Sequence, residues 1–164
     1  ETTSGGVVTE PVRNLIASLA ARDPGKIVWA DSRLRSDEFR NVILKPNQSE
    51  AEAACRRLFG AVDYQKLRRH CSSPLLVVTA GGDGAILVHE HGELQAPTRH
   101  IRKPVDICGA GDSFSAGAAC ALAVTGSPLE AARFGNLVAS ITIMKKGTGT
   151  ASPEEILQAS SRTP

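Results

Sequence analysis

Several features that mark large protein classes are scarce or missing in this 164-residue sequence. Aromatic residues make up 4% of it, four Phe, one Trp and one Tyr, too few and too scattered for a base-stacking platform. Lys and Arg number 19 against 17 Asp and Glu, a formal net charge of +2, so no basic surface points to nucleic acid as a partner. Long hydrophobic runs are absent as well. The longest, Ala116 to Val124, contains a glycine and is about half the roughly 20 residues that a membrane-spanning helix needs, which excludes membrane insertion. The single Met is at position 144, and no basic and apolar leader opens the chain, so the sequence reads as a piece of a longer protein. Cys55, Cys71, Cys108 and Cys120 form no C-x-x-C pair, which argues against zinc or dithiol chemistry and for free thiols in a cytoplasmic protein. What remains is 41% hydrophobic and 22% charged, enough to bury a real core without disulfides.

The order of elements is α/β. Val12, Leu15, Ile16 and Leu19 recur at helical spacing between Thr9 and Ala21, with Thr9 as the cap before Pro11. Ile27–Ala30, Val42–Leu44 and Leu75–Thr79 are short apolar runs without polar alternation, the pattern of parallel strands covered on both faces. Helices are predicted over Ser49–Leu58 and Asp63–Cys71, and Ala85–His89 with Glu93–Ala96 forms an antiparallel hairpin around Gly92. His89-Glu90-His91 lies at the tip of that hairpin and lacks a third ligand at metal-binding spacing. Arg68, Arg69 and His70 read as a solvated helix end, where cations suit the macrodipole. Helices over Asp112–Thr125, Leu129–Met144 and Pro153–Ala159 complete the chain. Strands alternating with helices, then helices alone, predict a three-layer α/β/α sandwich with a mostly parallel sheet.

Chemistry concentrates in Val105-Asp106-Ile107-Cys108-Gly109-Ala110-Gly111-Asp112-Ser113-Phe114-Ser115-Ala116-Gly117. A glycine-rich turn opening directly into a helix aims free N–H groups and the positive end of the dipole at an anion. The plainer reading is a turn with Asp112 capping the helix. A dinucleotide fingerprint is excluded because Phe114 stands where a third glycine belongs. No G-x-x-x-x-G-K-[ST] phosphate loop occurs either.

The stretch from Asp106 to Gly117 resembles the C-terminal signature D-T-x-G-A-G-D-x-F-x-x-G of the ribokinase (PfkB) family of carbohydrate kinases. Two further motifs of that family precede it in the right order. Lys45-Pro46-Asn47-Gln48-Ser49-Glu50 is similar to K-P-N-x-x-E, and Thr79-Ala80-Gly81-Gly82-Asp83-Gly84 is similar to the T-x-G-x-x-G nucleotide loop. The likeness runs from Ser4 to the last helix. It implies a ribokinase-like fold in which residues 1–164 are the C-terminal nucleotide-binding and catalytic part, the N-terminal half and its lid lying outside this sequence. An exposed apolar edge where further strands would pair is a corollary.

The resemblance also implies roles. Asp112 is the general base on a sugar hydroxyl, and Gly109, Ala110 and Gly111 with Asp112 form an anion hole for the transferring phosphoryl group. Asn47 and Glu50 organise Mg2+ and its waters beside ATP, where the plainer reading makes them a helix cap and its capping-box partner. Thr79, Gly81 and Gly84 line the nucleotide phosphates and ribose, where the plainer reading is a hairpin turn, and Asn136 lies near adenine. Many relatives bind a monovalent cation such as K+ through backbone oxygens, at the stretch matching Asp106, Cys108 and Lys146-Gly147-Thr148-Gly149, with Cys108 replacing the usual Thr. Gly5 to Pro11 and the Lys145–Glu155 region look most like bacterial heptose-phosphate kinases, although Thr2-Thr3-Ser4 replaces their usual Asp-Tyr. The partners implied are ATP and a small sugar-like substrate, with a homodimer compatible. Two alternatives stay open: a nucleotide-binding fragment without transfer activity, and a kinase of a nucleoside or vitamin precursor.

Overall fold

The amphipathic repeat after Thr9 forms helix α1 (Glu10–Arg22), with Pro11 in its first turn, where a missing N–H costs nothing. Thr9 occupies the N-cap position, but its side chain makes no capping bond. The computed structural model describes residues 6–161; Thr2 to Gly5, with the motif comparison made there, lie outside the described residues. Two units are distinguishable, one comprising the chain through Thr79 together with Ile86–Leu94, the other Ala80–Ala85 and Gln95 onward.

In the first unit, β1 (Trp29–Ala30) and β2 (Ile43–Leu44) are each shorter than the apolar run that contains them, and β3 spans Leu76–Thr79. They pair in parallel, Trp29 opposite Ile43 and Leu44 opposite Leu76. The sheet continues through β4 (Ala85–His89) and β5 (Gly92–Ala96), in the order β1-β2-β3-β4-β5. Two residues join β4 to β5, and parallel neighbours need a crossover of a dozen or more, so this edge is an antiparallel hairpin. A 3₁₀ turn at Ser36–Glu38 interrupts the β1–β2 connection, a feature without a periodic signature in the sequence.

Helices α2 (Gln48–Phe59) and α3 (Tyr64–His70) cover one face of the sheet. Ala51, Ala54 and Cys55 present small side chains at helical spacing to a core that includes Val42, Leu44, Leu67, Leu76, Val78 and Val88. Each fully buried Leu or Val contributes about 1.5–3 kcal/mol. Leu76, Val77 and Val78 are buried in succession, so both faces of β3 are covered. Arg68 and His70 are not simply solvated. Arg68 donates to Ser73 O and Gln65 Oε1, and His70 Nε2 meets Arg40 Nη2 at 3.2 Å. Gln65 Nε2 donates to both His89 O and Gly92 O, fixing α3 to the hairpin tip.

The second unit is built on α4 (Ala110–Thr125), α5 (Pro128–Thr142) and α6 (Pro153–Ser160). The α4 and α5 backbones come close through Gly117 and Gly135; a Cβ on Gly135 would lie 2.9 Å from Phe114 O. Helix α4 begins two residues before the expected Asp112, with Gly109 at the N-cap in the left-handed region and no side-chain cap. Asp112 is therefore a first-turn residue and not the cap. No helix among the described residues is long and apolar enough to cross a membrane.

Candidate active site

Parallel pairing brings the C-terminal ends of β1, β2 and β3 to one edge of the sheet, the edge where open α/β sheets bind ligands. Asp31 follows β1, Lys45-Pro46-Asn47 follows β2, and Thr79 ends β3. Thr79 N–H donates to Pro46 O at 3.1 Å, and Asn47 and Thr79 form an isolated parallel bridge. Asn47 Oδ1 accepts the Glu50 N–H at 2.9 Å, while Glu50 Oε2 accepts the Asn47 N–H at 2.8 Å. This capping box confirms the plainer reading of the local geometry, and it also fixes both side chains at the strand-to-helix corner. Glu50 Oε1 and Asn47 Nδ2 have no protein partner among the described residues.

Lys45 is the residue whose part sequence reasoning missed. It is only 3% exposed, and its Nζ lies 2.7 Å from Asp31 Oδ2. A buried ammonium is costly unless paired, so the pair locks the end of β1 to the residue just before Pro46 and Asn47. The available signal was a lysine between a buried strand and a proline, with a lone aspartate ending the preceding strand.

In the second unit, Gly81 is exposed, and Gly84 has a φ of 90° with its backbone against Ala96. A Cβ on Gly84 would lie 2.2 Å from Ala96 O, so both its conformation and its surroundings require glycine. The imidazole of His100 rests against Gly82; no local pattern in the sequence announces it. Asn136 is buried and donates Nδ2 to Ala96 O at 2.9 Å, leaving Oδ1 as its open group among the described residues.

The signature turn is tied at both ends. Asp106 accepts the Cys108 N–H on Oδ1 at 2.9 Å and the Gly147 N–H on Oδ2 at 3.0 Å. These two bonds, the Cys108 one first, hold its carboxyl below the usual carboxylate range. Gly109 has a φ of 77°, and a Cβ there would lie 3.2 Å from Thr148 Cγ2. Ala110 N–H donates to Ile107 O at 3.2 Å, so it is not free for an anion. The N–H groups of Gly109, Gly111 and Asp112 are the open donors of this turn among the described residues. The Asp112 carboxylate is exposed and has no hydrogen bond or ion pair among the described residues. Cys108 is exposed. No group of three or more His, Cys, Asp or Glu among the described residues is arranged to hold a metal.

A family model, "pfkB family carbohydrate kinase", matches residues 17–155. The chain belongs to the pfkB family. Its relatives include the bifunctional protein HldE of Methylococcus capsulatus, 36% identical over 145 residues that cover 84% of this chain and 30% of that protein. The structure is similar to ribokinase from Thermotoga maritima, with a TM-score of 0.76 and 26% identity over 89% of this chain and 52% of that one. It is also similar to a fructokinase from Vibrio cholerae bound to fructose, ADP and potassium, with a TM-score of 0.68 and 21% identity over 92% and 56% of the two chains. The chain thus spans about a third of the length of the curated pfkB relatives it matches and about half of the ribokinase. The fold is the α/β ribokinase-like one that the three ordered motifs imply.

Proposed function

We propose that this pfkB chain carries the nucleotide-binding and catalytic part of a kinase that transfers the γ-phosphoryl group of ATP to a hydroxyl of a sugar or sugar phosphate. The observation that carries the reading is the turn at Gly109–Asp112. There, the N–H groups of Gly109, Gly111 and Asp112 and the exposed Asp112 carboxylate all lack a partner among the described residues, at the positive end of a 16-residue helix. The substrate oxygen attacks the γ-phosphorus, its proton passes to Asp112, and the bond to the β,γ-bridging oxygen breaks to release ADP. The N–H groups of Gly111 and Asp112 stabilise charge on the transferring oxygens. Gly109 and the Ala110–Ile107 bond hold the turn that presents them. Positioning and electrostatics carry most of the acceleration in such transfers.

Thr79, Gly81 and Gly84 bind the nucleotide in this reading. Asn136 takes part through Oδ1 while its amide nitrogen holds Ala96. Mg2+, when bound, neutralises phosphate charge. The residues fit an ion held mainly by water and phosphate oxygens: Glu50 keeps one free carboxylate oxygen, and its other oxygen is fixed by the capping box. A monovalent cation, when bound, would be held by backbone oxygens of the Asp106–Cys108 turn and of the Lys146–Gly149 loop, two segments that Asp106 ties together through the Cys108 and Gly147 N–H groups. The likeness to heptose-phosphate kinases directs the acceptor towards a sugar phosphate.

The test is ADP formation by the full-length natural protein against hexoses, heptose phosphates, nucleosides and vitamin precursors, with Asp112→Asn alongside. Turnover on a sugar or sugar phosphate that the variant abolishes is expected. Turnover only on nucleosides or vitamin precursors would move the acceptor class. A second reading, nucleotide binding without transfer, is favoured by the chain's spanning about half of the ribokinase. Calorimetric binding of ATP–Mg2+ with no turnover on any acceptor would establish it.

A further inference from the structure

The loop that follows β3 and the segment that follows β5 lie against each other. Gly84 meets the backbone of Ala96, Pro97 and Thr98, and a little further on the imidazole of His100 faces Gly82. Asn136, the residue implied to lie near adenine, holds the same segment through Ala96 O. A Cβ on Gly82 would lie 2.6 Å from His100 Nδ1 and 3.1 Å from Cε1, so a side chain there would have to displace the ring. Gly81 and Gly84 have φ values of 55° and 90°, whereas Gly82 is not in the positive-φ region. The backbone at position 82 is therefore open to other residues, and what the missing side chain leaves is room for the imidazole.

Gly81, Gly82 and His100 are all exposed. The Gly81 and Gly82 N–H groups donate to nothing among the described residues, and the imidazole makes no hydrogen bond or ion pair there either. The ring thus adds a donor beside two open backbone donors. Arg99, Arg102 and Lys103 flank it, all exposed and none in an ion pair among the described residues. Three cations within five positions make this segment electropositive in a chain whose formal net charge is only +2. Unpaired cations beside free N–H groups suit an anion with several oxygens. A neutral sugar or a purine base would leave those charges unused.

We propose that His100 is a binding residue for the phosphates of a nucleotide held at the Gly81–Gly84 loop, donating a ring N–H to a phosphate oxygen. The inference rests on the reading of that loop as a nucleotide site and adds to it a side chain from outside the three motifs.

The test uses the full-length natural protein with His100→Ala, His100→Phe and Gly82→Ala. It reads calorimetric binding of ADP–Mg2+ and of adenosine, together with kcat and the KM values for ATP and acceptor. His100→Ala is expected to weaken ADP and raise the ATP KM by about fivefold, the ordinary worth of one hydrogen bond, with adenosine binding, acceptor KM and kcat within about twofold. His100→Phe keeps a ring over Gly82 without its nitrogens and should lose as much. Gly82→Ala should reproduce the loss in the wild-type background and add little in the His100→Ala background, since both changes remove the same contact. Wild-type ADP affinity in His100→Phe would make the ring mere cover for the loop and overturns the inference. An equal loss for adenosine and ADP overturns it too, by placing the contact on the nucleoside, as does a loss confined to the acceptor KM, which would place it on a sugar phosphate. His100→Phe decides the matter alone if His100→Ala does not fold. Wild-type protein that binds ADP but turns over no acceptor defeats the kinase reading, while calorimetry still decides the role of His100. Wild-type protein that binds no ADP defeats the nucleotide-loop reading and this inference with it.

Discussion

Asp112 and Glu50 are carboxylates in opposite circumstances, and their substitutions separate chemistry from structure. Asp112 is exposed and unpartnered among the described residues. Asp112→Asn is therefore expected to leave the denaturation midpoint unchanged while turnover falls by about 10²–10⁴, the contribution of a general base. Glu50 is half of a capping box. Glu50→Gln keeps an oxygen that can accept the Asn47 N–H, so stability should change by no more than about 0.5 kcal/mol. A raised Mg2+ requirement in that variant would mark the carboxylate as a metal organiser; an unaltered Mg2+ titration would reduce it to a cap. Asp106 governs a pH dependence. Its folded-state value lies below the ordinary one because Cys108 and Gly147 donate to it. Its bonds are thus in force above the ordinary carboxylate range and are lost as pH falls from there through the depressed value. In denaturant titrations from pH 6 to pH 2, the stability gap between wild type and Asp106→Asn should narrow with acidification. A gap that stays constant would remove Asp106 from the loop's acid response.

At the scale of elements, the legible features were those whose residues signal their own neighbours. Helix α2 (Gln48–Phe59) lies within one residue of the Ser49–Leu58 expectation at each end, because Asn47 and Glu50 fix its start and Gly60 its stop. Strands β1 and β2 were shorter than their apolar runs; pairing partners, not hydrophobicity, decide where a ladder ends. The 3₁₀ turn at Ser36–Glu38, the Lys45–Asp31 pair and the Lys145–Glu155 link depend on residues 10 or more positions apart or on irregular backbone, so no local period reveals them. The capping box carries its own prediction. Asn47→Ala removes the acceptor for Glu50 N–H and should cost about 0.5–2 kcal/mol, read from the urea midpoint at unchanged slope. A loss well above that range would mean that the bridge to Thr79 fails together with the cap.

For the molecule as a whole, cysteine placement differs between the two units. Cys55 and Cys71 are buried in the first unit, and burial pushes the Cys71 thiol up to about 11; Cys108 and Cys120 are exposed in the second. With a thiol reagent at pH 8, two groups per native chain should react promptly, and mass spectrometry should locate them at Cys108 and Cys120. The other two should react only as the first unit opens, at a rate that rises with denaturant. Prompt labelling at Cys55 or Cys71 would contradict the packing of α2 and α3 against the sheet. The arrangement gives the protein an intrinsic chemical clock: once Cys108 and Cys120 are capped, any later uptake of reagent times the opening of the β1–β3 core without a single engineered probe.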